Sequence, residues 1–179
     1  FGWGPDIVGV ALALVGTCNI VVQGLLVRRF VSRFGERFTL LVGLVSGILG
    51  FVIWGLASTP LEFMIAIVFY APIGFVQPAV QGLMTRKVGP SEQGALQGIN
   101  GMIMALTGIL GPLIFGALYT LSTSGRSSFN LAGTPFLLSA LLMIASLIVA
   151  VRVTRTTQPY QTTMSGWDSV EHPPSADAQ

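Results

Sequence analysis

The sequence is short of charge. Asp, Glu, Lys and Arg make up 9% of its 179 residues, against roughly 25% in ordinary soluble domains. Nine bases and seven acids cannot clothe a globule of this size in a water-compatible surface, so a soluble fold is not expected. Histidine is nearly absent as well. The one histidine, His172, sits beside Pro173 and Pro174 near the C-terminus, with no Cys or carboxylate at metal-ligand spacing, and no metal site is expected. The single cysteine, Cys18, cannot close an internal disulfide; its place in an apolar run leaves the redox compartment open. No Ser, His and acid arrangement falls within the apolar runs, and no Gly-rich phosphate loop follows a strand. Catalytic residues and cofactors are therefore not expected, and an enzyme is not the reading. The bases are not gathered with aromatics on a polar face, so the pI near 9.1 does not point to nucleic acid.

Hydrophobic residues are what the sequence has in plenty, at 52% with a mean hydropathy of +0.76. A bilayer core of about 30 Å needs roughly 20 apolar residues in a helix. Five stretches are long enough: 7–27, 38–57, 63–85, 94–121 and 131–151. Backbone groups in hydrocarbon must bond within their own segment, so each stretch is predicted to be helical. The expected fold class is all-α: a polytopic membrane helix bundle of about five transmembrane helices over residues 1–153, with the lipid bilayer as its surroundings. Residues 154–179, rich in Thr, Ser, Pro and Gln, read as a disordered cytoplasmic tail.

Short connections at 28–37, 58–60, 85–94 and 122–130 place successive helices side by side and antiparallel. Eight of the nine Lys and Arg fall on one side: Arg28, Arg29, Arg33, Arg37, Arg86, Lys87, Arg152 and Arg155, leaving Arg126 on the other. Positive loops stay in the cytoplasm, which puts the N-terminal segment outside and the C-terminus inside, as five crossings require. Trp3 and Trp54 are expected at the outer interface. Glycines recur in the second helix (Gly43, Gly47, Gly50) and the fourth (Gly101, Gly108, Gly111, Gly116), where small residues let helices pack closely in lipid.

Polar residues inside the apolar runs are the candidates for function, because polar groups at depth usually face a bundle interior or a watery path. Asn19 and Gln23 are four apart on the first helix, Gln77 and Gln81 four apart on the third, and Gln97 and Asn100 three apart on the fourth. Each pair shares a helix face and is a candidate for lining a substrate path; for each, the alternative is an amide that simply bonds a neighbouring helix. Pro72, Gly74 and Pro78 in the third helix and Gly111-Pro112 in the fourth mark expected bends, a recurrent feature of transporter sites. No acid lies in the middle of a run, so no proton relay across the bilayer is visible.

Three stretches resemble the major facilitator superfamily, and within it the drug/proton antiporters of the tetracycline-efflux type. They are Trp3 to Gly9 with Gly16 and Gln23; the segment Arg33-Phe34-Gly35-Glu36-Arg37; and Gly74-x-x-x-Pro78-Ala79-x-Gln81 running through Met84-x-Arg86 to Gln93-Gly94-x-Leu96-Gln97-Gly98 and Gly111-Pro112-Leu113. The resemblance covers most of residues 3–120 and implies the C-terminal half of such a carrier, with these helices the last five of twelve. It implies that Arg33, Gly35 and Arg37 belong to a cytoplasmic gating loop, and that Pro78, Gly111 and Pro112 bend helices. Departures are visible. Arg28 and Ser32 stand where the family's loop motif has Gly and Asp, Phe115 stands where a Gly is usual, and Asn19 and Gly47 stand where tetracycline carriers have a His and an Asp. Neither of those two can carry a proton, so tetracycline itself is not the expected substrate.

The expected function is a fragment of a secondary active transporter that moves a small organic solute by alternating access, as a proton-coupled drug exporter. Its expected setting is the inner, cytoplasmic membrane, and its expected partners are a small-molecule substrate and a missing N-terminal half. The start at Phe1 rather than at Met fits that expectation. The alternatives are a metabolite or sugar transporter of the same superfamily and a truncated membrane protein that transports nothing.

Overall fold

The computed structural model describes residues 4–123 and 133–155. It is all-α. Helix α1 (Pro5–Val21) passes through a π-helical turn, Val22–Leu26, into α2 (Val27–Leu56). Helix α3 (Pro60–Tyr70) passes through a 3-10 turn, Ala71–Phe75, into α4 (Val76–Thr85). A short 3-10 turn, Pro90–Glu92, leads into α5 (Gln93–Thr123), and α6 spans Thr134–Arg155. Among the described residues, four continuous helical stretches are long and apolar enough to cross a membrane: Pro5–Leu56, Pro60–Thr85, Pro90–Leu121 and Thr134–Arg155.

The first of these has 52 residues, about 78 Å at 1.5 Å per residue, far beyond a bilayer core. It is not straight. Gly35 has φ 79° and ψ 164°, a backbone region that is essentially open to glycine alone. The connection expected over 28–37 is therefore helical on both sides of one broken residue. The charges at 28–37 mark a water-facing place, but nothing in Arg28–Phe34 stops a helix; only Gly35 does. The other boundaries differ by a few residues. The expected third span, 63–85, is carried by two helices joined by the 3-10 turn. Helix α6 continues through Thr154 and Arg155, the first two residues of the expected tail. Trp3, residues 124–132 with Arg126, and residues 156–179 with His172 lie outside the described residues.

Local signals explain the helix starts. Pro5 and Pro60 occupy the first helical position, where the missing N–H costs nothing. Thr59 and Glu62 form a reciprocal cap on α3. The Glu62 carboxylate accepts from the Ser58 N–H at 2.7 Å and the Thr59 N–H at 3.2 Å, and Glu62 N–H donates to Thr59 Oγ1 at 3.3 Å.

The part of α2 that follows Gly35 is the centre of the bundle, packed by α3, the 3-10 turn, α4 and α6. Its glycines make this possible. A Cβ on Gly43 would lie 2.8 Å from Val76 Cγ2, on Gly47 2.9 Å from Ile73 Cδ1, and on Gly50 2.6 Å from Tyr70 Cβ. Lipid tails are as apolar as leucine, so this close fit, not hydrophobic exclusion, holds the helices together. Leu40, Leu44 and Ala79 are buried among Val76, Val80, Leu83, Met143, Leu147 and Ala150. At the other end of α2, Phe51, Trp54, Phe63, Tyr70 and Phe136 stack as one aromatic cluster, and Trp54 Nε1–H donates to the Phe63 carbonyl at 3.0 Å.

Helix α5 is different. No residue of it through Leu121 is buried, and a Cβ on Gly101, Gly108, Gly111 or Gly116 would meet nothing within 4 Å. The α2 glycines thus pack within the chain and the α5 glycines do not. Apolar side chains stand outward elsewhere too: Leu12 is 67% exposed, Leu61 69% and Met102 72%. In water that surface would be costly; in lipid it is the expected exterior.

Candidate functional site: an amide-lined cavity

Five of the six candidate amides converge. A cavity of about 540 Å³ is lined by Gln23 and Val27 from the π turn and the start of α2, by Gln77, Pro78 and Gln81 from α4, and by Gln97, Asn100, Gly101 and Met104 from α5. The helical repeat accounts for this. Residues four apart on α4 and three apart on α5 stand one above the other on a single face. None of the lining residues is ionisable, and none is aromatic.

Asn19 is one step removed. Its Oδ1 accepts from Gln23 Nε2 at 3.1 Å, while its own Nδ2 donates to the Val15 carbonyl at 3.2 Å. It therefore orients Gln23 and does not line the cavity. Behind these two residues the π turn meets the 3-10 turn. A Cβ on Gly74 would lie 3.1 Å from Val22 Cγ1 and 3.4 Å from Gln23 Cγ, so an overwound and an underwound turn pack together at the cavity wall. Pro78 has no N–H, so the Gly74 carbonyl cannot accept the usual helical bond from residue 78. The interruption expected around Pro72, Gly74 and Pro78 thus falls at Ala71–Phe75, ahead of Pro78, which lies within the first turn of α4. At Gly111-Pro112, where a bend was expected, α5 continues as one helix.

A second feature lies at the Gly35 end. Arg86 Nη2 is 2.9 Å from Glu36 Oε1, with the Glu36 side chain 12% exposed and that of Arg86 74%. Thr39 Oγ1–H donates to the Gly35 carbonyl at 2.8 Å, tying off the bend. Arg33 lies over the Phe34 ring at 5.9 Å. Arg33 and Arg37 are exposed, and neither takes part in the ion pair. Sequence reasoning singled out Arg33, Gly35 and Arg37 and passed over Glu36 and Arg86. The available signal was Glu36 itself, one acid among the arginines of 28–37. Nothing in the sequence marks the π turn. Among the described residues no group of His, Cys, Asp and Glu is placed to hold a metal.

The family model described as Major Facilitator Superfamily matches residues 1–175. Among curated proteins, the chain is similar to the tetracycline resistance protein, class H, of Pasteurella multocida, 28% identical over 89% of this chain and 38% of that protein. It is similar to the class C protein of Escherichia coli, 32% identical over 69% of this chain and 31% of that protein. It is also similar to the class G protein of Vibrio anguillarum, 35% identical over 70% of this chain and 32% of that protein. The chain thus spans about a third of the length of these relatives. No solved structure matches it. A match over nearly the whole chain, to a family whose model fits an all-α bundle of long apolar helices, leaves one assignment: this is a multi-pass membrane protein of the Major Facilitator Superfamily.

Proposed function

We propose that the chain is part of a secondary active transporter that exports a small, drug-like organic solute by alternating access, and that the amide-lined cavity is this part's share of the substrate path. The observation that carries the reading is the convergence of Gln23, Gln77, Gln81, Gln97 and Asn100 on one cavity. Polar groups at membrane depth cost free energy unless partnered, and they tend to mark a path for solute. The names of the tetracycline resistance relatives favour a drug as cargo.

In this reading the helical stretch Pro5–Leu56 crosses twice, turning at Gly35. With the three later stretches that makes five crossings, the last five of a twelve-helix carrier in the cytoplasmic membrane. The bases at 28–37, at 86–87 and at 152–155 then face the cytoplasm, and the C-terminus lies there too. The other half of the carrier completes the cavity and supplies the proton-carrying group. Asp6 and Glu62 stand in first turns of helices, Glu36 lies beside the Gly35 bend and Glu92 precedes α5, so none of them sits mid-membrane.

Cysteine labelling of the full-length carrier tests the reading. With Cys18 replaced by serine, Gln77→Cys and Gln81→Cys should each react with a membrane-impermeant maleimide, and transported solute should slow the reaction. No labelling from either side of the membrane overturns the proposal.

A further inference from the structure

We infer that the outer face of α2 and α3 binds one anionic phospholipid, with an acyl chain in an apolar groove and the phosphate on Arg33 and Arg37; the inference goes beyond the transport reading and stands without it. The groove has a volume of about 490 Å³, and its wall includes Phe38, Leu41, Val45 and Leu49 of α2 and Val68 and Phe69 of α3. It shares no residue with the amide cavity. On α2 it lies on the side turned away from Gly43, Gly47 and Gly50, which are buried against neighbouring helices. Ser46, the one hydroxyl in the wall, donates to the Gly43 carbonyl at 2.8 Å, so a ligand in the groove meets hydrocarbon.

Length and charge select the occupant. From Phe38 to Leu49 helix α2 rises about 16 Å, roughly half of a 30 Å bilayer core and so the depth of one leaflet's acyl chain. The bases stand at one end of this run, and no other Lys or Arg occurs between Arg37 and Arg86. Arg37 lies one turn before Leu41. Arg33 lies over the Phe34 ring at 5.9 Å, and Phe34 packs on Phe38 with ring centroids 5.2 Å apart. A line of contacts thus leads from a guanidinium to the mouth of the groove. Both arginines are exposed. Glu36, the one acid of 28–37, is taken by Arg86, and neither Arg33 nor Arg37 has an acidic partner among the described residues. A guanidinium holds phosphate through two parallel N–H bonds, and stacking on a ring leaves those in-plane donors free. An amphiphile with an anionic head and a chain one leaflet long engages both parts at once, whereas a neutral lipid engages only the groove. One base beside an anionic lipid surface is worth about fivefold in binding, so two should give tenfold or more.

The test uses the full-length carrier in neutral detergent, with phosphatidylglycerol and phosphatidylcholine of identical acyl chains as probes and native mass spectrometry as the readout. Phosphatidylglycerol should bind at least tenfold more tightly. Arg33→Gln combined with Arg37→Gln should remove the difference, and Arg33→Lys combined with Arg37→Lys should keep most of it, which separates loss of charge from loss of fold. On the unaltered carrier, phosphatidylglycerol with a photoactivatable diazirine midway along one chain should label residues 38–49 or 68–72. Equal affinity for the two lipids shows a groove that takes any chain and overturns the inference. So does a preference that survives the glutamine pair. Labelling confined to other segments also overturns it, because another part of the carrier then covers the groove. None of these results alters the labelling of a cysteine at position 77, so the transport reading is tested separately.

Discussion

Arg86 reaches Glu36 at 2.9 Å across a gap that only a glycine leaves open, since a Cβ on Gly82 would lie 2.7 Å from Glu36 Oε1. The pair joins the end of α4 to α2 immediately after its break at Gly35. Arg86 is 74% exposed, so the pair itself should stabilise the fold by no more than about 1 kcal/mol. Its value lies in position. Glu36→Gln and Arg86→Gln should each slow transport by the full-length carrier several-fold, and the double variant should be no slower than the worse single one. Initial rates in vesicles check this, and additive losses would show that the two residues act separately.

Gly82→Ala should mimic Glu36→Gln. The atom its Cβ meets is the far end of a flexible side chain, which can swing away at small cost. The melting temperature in detergent should therefore stay within a few degrees of the parent, while the transport rate falls as it does for Glu36→Gln. A large loss of melting temperature would show that Gly82 is needed for backbone packing and not for the ion pair.

The glycines of α2 and α5 should respond oppositely to alanine. At Gly50 the new methyl would stand 2.6 Å from Tyr70 Cβ and 2.9 Å from its Cα, so backbone must shift. Overpacking of this kind costs about 1–3 kcal/mol. At Gly108 nothing lies within 4 Å, and alanine is the better helix former by up to about 1 kcal/mol. In the 179-residue chain, Gly50→Ala should lower the unfolding midpoint and Gly108→Ala should leave it unchanged or raise it. Equal losses would mean that α5 packs against a neighbour within this chain.

What was legible in the sequence was mostly periodic. Gln77 with Gln81 and Gln97 with Asn100 share faces because 3.6 residues make a turn, and the packing of α4 beside α5 brings the two pairs to one cavity. Asn19 has the same spacing to Gln23 but spends its oxygen on it, a choice made by rotamers that spacing does not encode. The connection expected over 28–37 contains the break at Gly35 but is otherwise helical. Charge over 28–37 reports contact with water, and a helix end can meet water as well as a loop can. Pro112 marks a place where one helical bond is missing, and α5 runs through it as one helix. The Glu36–Arg86 pair joins residues fifty positions apart, a distance at which no local pattern speaks.

The π turn at Val22–Leu26 gives the sharpest prediction. Such a turn is one extra residue accommodated in a helix, often at a functional site, and it carries Gln23 into the cavity wall against Gly74. Deleting Gly24 should remove the extra residue and let the helix close with ordinary i to i+4 bonds, leaving the phase of Pro5–Val21 and of the residues after Leu26 nearly intact. The variant should therefore still insert, and its helix content by circular dichroism should be unchanged. With the turn gone, Gln23 loses its place beside Gln77 and the wall facing Gly74 flattens, so solute transport should drop at least tenfold. Deleting Gly16, which lies in regular helix α1, is the control. That deletion rotates every residue before it by about 100° and should damage insertion itself. If transport survives the loss of Gly24, the π turn is a packing accommodation, and Gln23 has no part in the solute path.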